Sequence, residues 1–343
     1  MLVATLAAVC LCPSALAATP TPRLMTYITD LDKPAPQVWV SGLGGSPATD
    51  LGPASSALIS PNGAQVAAIA IQRGPTVKDS TLSLYASSGG VPAKIVESLQ
   101  FIQLLAWSPD SKLLLVAVGS SPAQLRVIDA ASDESRTIAT GVIDGASFAP
   151  GSSDQVVYAR AAANTTSVNV YTTSATGTNT RQLTHDGLSE YPVWGPTGIV
   201  YSHETRRAKS SYPTLQLWFV GASGAGAHAL TNVAIPAKWE GLTPIAFSAN
   251  GKHLLANFVG PQGSDHAEAY AVTLTGAKAA APRDLTGGGN GNIGDAISTD
   301  GKTVLLTKGL AGNTAPLSIE TVPWAGGKPT AVVAQGAYAS WNL

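Results

Sequence analysis

The chain has 343 residues, of which 45% are hydrophobic and only 12% are charged, and its formal net charge is -1. So much apolar material excludes a disordered polymer and predicts one large packed domain or two ordinary ones. Because basic residues are not in excess, we expect neither a nucleic acid nor an acidic lipid surface as the partner.

The first 17 residues have the pattern of a cleaved export signal. An apolar run from Leu2 to Leu11 precedes Pro13, and Ala15-Leu16-Ala17 has the small-x-small form that a signal peptidase cleaves. The run is too short to cross about 30 Å of hydrocarbon, so we expect no transmembrane segment in the mature chain. The sequence therefore predicts a periplasmic or secreted protein, with a buried N-terminal strand as the alternative.

Both cysteines, Cys10 and Cys12, lie in this segment. The mature chain would then contain no disulfide and no thiol. A lipidated Cys10 or Cys12 is the alternative, although Val9 and Leu11 occupy positions where lipoprotein signals carry a small residue.

From residue 57 onwards, one pattern recurs at intervals of 41 to 53 residues. Each copy has a short apolar stretch, a turn with Pro, Asn-Gly or Asp-Gly, and a second stretch rich in Val, Leu and Ile, which is typical of a β-hairpin. The residues that follow the first stretch are Ser60, Ser108, Ala149, Gly195, Ser248, Ser298 and Asn342. A third alternating strand and a short fourth strand follow each hairpin, and four strands per period predict the blade of a β-propeller.

The last copy, "ASWNL" at residues 339–343, has only its first strand. The missing strands are supplied near the other end of the chain by residues 23–29, 37–42 and 48–52. We therefore predict an all-β fold: a single propeller domain over residues 18–343, with seven four-stranded blades, one of them built from both ends of the chain. Six blades are the alternative.

Two stretches carry a family resemblance: "RQLTHDGLSEYPVWGPTGIVYSHE" at 181–204 and "LAWSPDSKLLL" at 105–115. They resemble the repeats of the TolB-type propeller family, in which a W-S-P-D-G-like turn follows a strand ending in Leu-Thr. The resemblance implies an envelope protein that binds other proteins. Too few residues precede the predicted strand at 23–29 once the signal is removed, so the smaller α/β domain of TolB is not expected. Related repeats also occur in prolyl-oligopeptidase-like enzymes and polysaccharide lyases.

Catalytic motifs give little signal. Residues 289–294 fit G-x-G-x-x-G, but another hairpin follows where a dinucleotide site needs a helix. There is no G-x-S-x-G elbow, and the five histidines form no H-E-x-x-H motif. Asp110 and Asp300 occupy turn positions. We therefore predict no enzyme activity, no cofactor and no metal.

In a blade, the turns that join strands two and three lie on the same face as the connections between blades. The scarce charges of this chain collect in those segments. The predicted binding residues are Arg206, Arg207, Lys209, Trp239, Asp265 and His266. The two arginines are predicted to bind anionic groups and Trp239 to be an apolar anchor. Two alternatives stay open: the loops only solubilise the ring, and Trp239 is buried over the neighbouring blade.

Together these features predict an exported, non-enzymatic scaffold that binds another envelope or periplasmic protein. The alternative is a glycan-binding module or polysaccharide-acting enzyme that uses the mouth of the propeller channel. Aromatic and carboxylate side chains around that mouth would favour the alternative.

Overall fold

The computed structural model describes residues 23–73, 78–98, 101–119, 122–161, 165–206, 213–261, 264, 266–288, 291–309 and 316–342. These residues form β-strands and turns, and no helix occurs among them. The first fourteen strands are β1 (Leu24–Thr29), β2 (Gln37–Gly42), β3 (Ala48–Pro53), β4 (Ser56–Ile59), β5 (Gln65–Arg73), β6 (Lys78–Ala86), β7 (Ala93–Ser98), β8 (Ile102–Trp107), β9 (Leu113–Val118), β10 (Ala123–Asp129), β11 (Ser135–Phe148), β12 (Gln155–Ala161), β13 (Val168–Ser174) and β14 (Arg181–Gln182). The others are β15 (Ser189–Gly195), β16 (Gly198–Arg206), β17 (Pro213–Val220), β18 (His228–Ala229), β19 (Trp239–Phe247), β20 (His253–Pro261), β21 (Ala267–Thr275), β22 (Lys278–Ala279), β23 (Arg283–Asp284), β24 (Asn292–Ile297), β25 (Thr303–Lys308), β26 (Ser318–Pro323), β27 (Thr330–Val333) and β28 (Ala337–Trp341).

Strand pairing groups these elements into four-stranded antiparallel blades. Three separate sheets have the orders β28-β1-β2-β3, β4-β5-β6-β7 and β24-β25-β26-β27, and we number them blades 1, 2 and 7. Blades 3 and 4 share β11, which pairs with β10 up to Gly141 and with β12 from Val142 onwards. Blade 5 is β15 to β18, and blade 6 is β19, β20, β21 and β23. The number of blades stays a prediction, which this grouping supports.

The first strands of the blades form a closed cycle. Contacts run from β4 to β8, β11, β15, β19, β24 and β28 in turn, and β28 in turn contacts β4. The ring is joined where β28 pairs antiparallel with β1, with Met25 opposite Trp341. This is the two-ended blade that the sequence predicts. Residues 1–22, including the predicted signal, lie outside the described residues, and the domain bounds stay a prediction.

The second strands explain why the chain is so apolar. In β9, β12 and β25, nearly every residue between the strand ends is buried, and these residues are mostly Val, Leu and Ala. Because each blade packs against a neighbour on both faces, its second strand has no solvent side and needs no polar alternation. Apolar clusters accordingly join residues of adjacent blades.

The turns between first and second strands are held by a repeated side-chain bond. The hydroxyl of the fully buried Ser108 donates to Asp110 at 2.7 Å and accepts the N–H of Leu113 at 2.8 Å. Ser298 and Asp300 make the same bond at 2.7 Å. These carboxylates cap their own turns, as the sequence predicts.

Candidate binding site at the channel mouth

The first strands line the centre of the ring, and each begins at the same end of it. We call that end the front face. Second strands end there and third strands begin there, as Arg206 and Pro213 do. Four carboxyl groups lie on the first strands, counting β11 from Val142 onwards, and these segments contain no Lys, Arg or His. They are Asp144, Glu190, Glu240 and Asp295. Asp295 is buried and bonded to Thr307, so the carboxyl groups of the channel mouth are Asp144, Glu190 and Glu240.

Asp144 and Glu190 occupy equivalent positions in blades 4 and 5, four residues before Phe148 and Trp194, the aromatic residues near the ends of these first strands. Asp144 lies inside an irregularity of strand pairing, between Ile143 and Ala146, whereas Glu190 is the last regularly paired residue before the irregularity that ends at Val193. A bulge interrupts the regular alternation of side chains, and both carboxyl groups lie at one.

The carboxyl groups influence one another. Burial, and then the negative charges of Asp144, Glu204 and Glu240, raise the pKa of Glu190 to about 7. Burial also raises the pKa values of Asp144 and Glu240. Desolvation and like charges both disfavour the ionised form of these groups. A cation or hydrogen-bond donor that approaches the mouth therefore stabilises it.

A tyrosine stands beside these groups. Tyr191 is 41% exposed, and its φ of 49° lies in the left-handed region. Gly145 packs against it, and a Cβ on that glycine, which itself has φ of 89°, would lie 3.2 Å from the Cα of Tyr191. Burial and the neighbouring carboxyl groups raise the pKa of Tyr191 to about 12, so the phenol stays a neutral hydrogen-bond donor.

The composite blade, blade 1, also has an exposed tyrosine with a positive φ. Tyr338 precedes Trp341 by three residues, as Tyr191 precedes Trp194. Its φ is 51°, and it is 44% exposed. Blades 1 and 5 are three steps apart around the cycle, so the two tyrosines belong to opposite sides of the mouth.

The structure brings together two of the sequence-predicted binding residues. The rings of Trp239 and His266 lie 5.1 Å apart, edge to face. Trp239 is half-buried and packs 5.2 Å from Phe258 in the apolar cluster between blades 5 and 6. The alternative of burial over the neighbouring blade therefore holds for much of this side chain. Nε2 of His266 is 3.1 Å from a carboxylate oxygen of Glu268.

The other predicted binding residues cannot be placed. Arg207, Lys209 and Asp265 lie outside the described residues. Arg206 is the last residue of β16, and its side chain is also outside them. Sequence reasoning missed Asp144, Glu190, Tyr191 and Glu240. Their signal was a charged or aromatic residue inside a first strand that is otherwise apolar or small.

Other motifs have structural roles. The residues after Gly291 form strand β24 and no helix, so the glycine-rich stretch lacks the helix that a dinucleotide site needs. His203 stacks on Trp218 at 4.1 Å and contacts Asp186 at 2.9 Å.

Within the described ranges, no group of three or more His, Cys, Asp or Glu side chains is placed to hold a metal ion. No helix in that part of the chain is long and apolar enough to cross a bilayer.

No protein-family model and no curated protein matches the sequence. Solved structures do. The β-propeller domain of the Trilobed protease from Pyrococcus furiosus is similar with a TM-score of 0.64 and 13% identity, over 90% of this chain and 92% of that one. TolB from Acinetobacter baumannii is similar with a TM-score of 0.52 and 15% identity, over 90% and 80%. A prolyl endopeptidase is similar with a TM-score of 0.62 and 12% identity, over 91% of this chain but only 50% of its own. At these identities the likeness shows the fold, and the predicted TolB-like β-propeller is confirmed.

The prediction that the protein is not an enzyme is wrong. Solved structures with this fold include prolyl endopeptidases, an acylaminoacyl peptidase and an oligogalacturonate lyase. The missing sequence motifs exclude particular chemistries only, and a fold shared with enzymes gives no ground for excluding activity.

Proposed function

We propose that this protein is an exported propeller scaffold that binds a partner in the cell envelope through its front face, with the channel mouth as the centre of the contact. The acidic mouth around Tyr191 carries the proposal. Exposed aromatic residues are typical anchors of interfaces, and clustered carboxyl groups select a partner that brings basic or hydroxyl groups. Periplasmic location and the protein nature of the partner are part of the proposal, supported by the likeness to TolB.

The front-face loops extend this surface. We propose that Arg206, Arg207, Lys209 and Asp265 contact the rim of the same partner. Reversing the charge of Arg206 and Arg207 to Glu should weaken capture about tenfold, which is about 1.4 kcal/mol, with little change in melting temperature.

The test is capture of the partner from envelope extract by immobilised mature protein. Tyr191→Gly removes the aromatic ring while keeping a residue that favours positive φ, and Glu190→Gln removes one charge at nearly constant shape. Both variants should lose capture. The matched control is Asp110→Asn on the opposite face, which should retain it. If Tyr191→Gly and Glu190→Gln capture as well as the parent, the mouth is not the contact.

A carbohydrate ligand is the second candidate, favoured by the combination of Tyr191 with three carboxyl groups. Sugar hydroxyls bond to carboxylates, and a ring face stacks on tyrosine. A carboxyl group that keeps its proton near neutral pH can also protonate a leaving group. A glycan array on the same preparation separates the candidates. If a glycan binds, incubation with that glycan shows whether it is cleaved, and Glu190→Gln should abolish cleavage.

Export is tested separately by N-terminal sequencing of the protein recovered from the periplasm or medium. Cleavage after Ala17 or Ala18 is expected. A mature form that retains an acylated Cys10 or Cys12 would overturn it.

A further inference from the structure

Glu268 is a buried carboxylate with few partners. Its side chain is only 4% exposed, and it lies at the front-face end of β21 in blade 6. One oxygen, Oε1, accepts the N–H of Gly291 at 3.0 Å. The other oxygen, Oε2, has no hydrogen-bond partner among the described residues. A buried carboxylate in this condition strongly favours a hydrogen-bond donor with positive charge.

A second acceptor lies next along the chain. Asn292 is 2% exposed, its amide nitrogen donates to the hydroxyl of Thr286 at 2.9 Å, and its Oδ1 has no partner within the described part of the chain. Asn292 directly follows Gly291, whose N–H is bonded to Glu268, so the two residues are neighbours. Both open atoms are oxygens, so the group that suits them carries several N–H donors.

Aromatic side chains flank the carboxylate. Phe258 is the cross-strand partner of Glu268, so the two side chains share a face of the sheet. The ring of Phe258 is 5.2 Å from Trp239 and 5.3 Å from Tyr270. A cation beside a carboxylate gains further from the electron-rich face of an indole.

His266 lies beside this site. Its Nε2 is 3.1 Å from Oε1 of Glu268, close enough to form an ion pair when the imidazole is protonated, and 20% of its side chain is exposed. An incoming cation would therefore replace the His266 ring as the cationic neighbour of Glu268.

We propose that Glu268, Asn292 and Trp239 form a binding site for a primary ammonium group, the side chain of a lysine on the partner. The ammonium displaces the His266 ring, donates to Oε2 of Glu268 and Oδ1 of Asn292, and lies against the indole of Trp239. This proposal rests on the proposed function, since it names the group by which a partner on the front face is held in blade 6.

The test compares two probes by NMR titration of the mature protein: Nα-acetyl-lysine methylamide and its neutral counterpart Nα-acetyl-norleucine methylamide. The lysine probe should shift the signals of Glu268, Asn292 and Trp239, and the norleucine probe should not. Butylammonium tests whether a free amine suffices. The lysine probe should bind about tenfold more weakly to Glu268→Gln, a change that removes the charge at nearly constant shape.

Trp239→Leu provides a second variant that keeps the site apolar and should also weaken the lysine probe. The matched control is Asp110→Asn, which removes a carboxylate from a back-face turn in blade 3 and should bind the probe as the parent does. The proposal is overturned if both probes bind equally or if the lysine probe binds Glu268→Gln as it binds the parent. It is also overturned if the lysine probe does not bind and Oε2 of Glu268 contacts only ordered water. If partner capture still depends on Tyr191 in that case, the proposed function stands without this site.

Discussion

The backbone N–H of Leu24 donates to the side-chain carbonyl of Asn342 at 2.8 Å, across 318 residues of sequence. Beside it, the hydroxyl groups of Thr26 and Ser340 lie 2.9 Å apart. The two ends of the described chain thus share one sheet, and the last strand completes a blade that would otherwise expose an edge.

Deleting residues 338–343 should therefore destabilise the protein. The deletion removes most of β28, exposes the edge of β1 and removes Trp341, whose indole donates to the carbonyl of Ile297 in blade 7 at 3.3 Å. Trp341 is half-buried rather than fully buried, so we expect a loss of roughly 3 kcal/mol and a melting temperature lower by about 5 °C or more. Tyr338→Gly is the control, because glycine suits φ of 51° and keeps the strand. A deletion variant that melts like the parent would show that the ring closes without β28.

The repeated turn allows a second stability prediction. Replacing Ser108 with Ala removes the hydroxyl that accepts the N–H groups of Lys112 and Leu113, at 3.2 and 2.8 Å, and donates to Asp110. Loss of these buried bonds should cost about 1 to 3 kcal/mol in chemical denaturation. Because the turn lies on the back face, capture of the partner should not change at temperatures where the variant is folded. If a folded Ser108→Ala protein loses capture, the partner contacts the back face and not the front face.

The repeat made the architecture predictable. The Asn-Gly and Asp-Gly turns are required by local backbone geometry, and the apolar second strands are required by burial. Both features recur periodically in the sequence. The closing strand was predictable because "ASWNL" aligns with six earlier copies, and the structure pairs it with β1.

The site was much less predictable. Glu190 and Tyr191 were given no role, because the bulge at which they lie leaves no residue signature. Trp239 was singled out for breaking the repeat, which is correct, but its half-burial depends on Phe258, a residue of another strand. Glu268 was not among the predicted binding residues, and its burial was not predictable, since a single Glu in an alternating strand is ordinarily solvent-exposed.

Asp295 should make the stability of the fold depend on pH. Its carboxylate accepts the hydroxyl of Thr307 at 2.7 Å and the N–H of Ala339 in the closing strand, yet burial raises its pKa to about 7. The folded state therefore holds this proton more tightly than the unfolded state, whose ordinary value is 3.8. The contribution of Asp295 to stability is then greatest below pH 4 and falls as the pH rises from about 4 to 7.

Asp295→Asn should remove that dependence. Relative to the parent, the variant should be more stable at pH 8 than at pH 4, by up to roughly 2 to 4 kcal/mol across that window. Urea denaturation of both proteins at the two pH values measures the difference, and Asp300→Asn on the back face is the control. An identical pH profile for Asp295→Asn and the parent would contradict the assignment.

Glu190 should titrate near neutral pH, and its neighbour should control where. Burial is the largest cause of its raised pKa, and the charge of Asp144 is the second. Asp144→Asn should therefore lower the pKa of Glu190 partway towards 4.5, since the repulsion is removed but the burial remains. Carboxyl-detected NMR of the two proteins from pH 4 to 9 measures the shift, with Asp300→Asn as the distant control.

Because Glu190 gains its charge as the pH rises through about 7, binding of a basic partner at the mouth should strengthen from pH 6 to pH 8 in the parent and change less in Glu190→Gln. Binding that strengthens equally in both proteins would assign the pH dependence to another group.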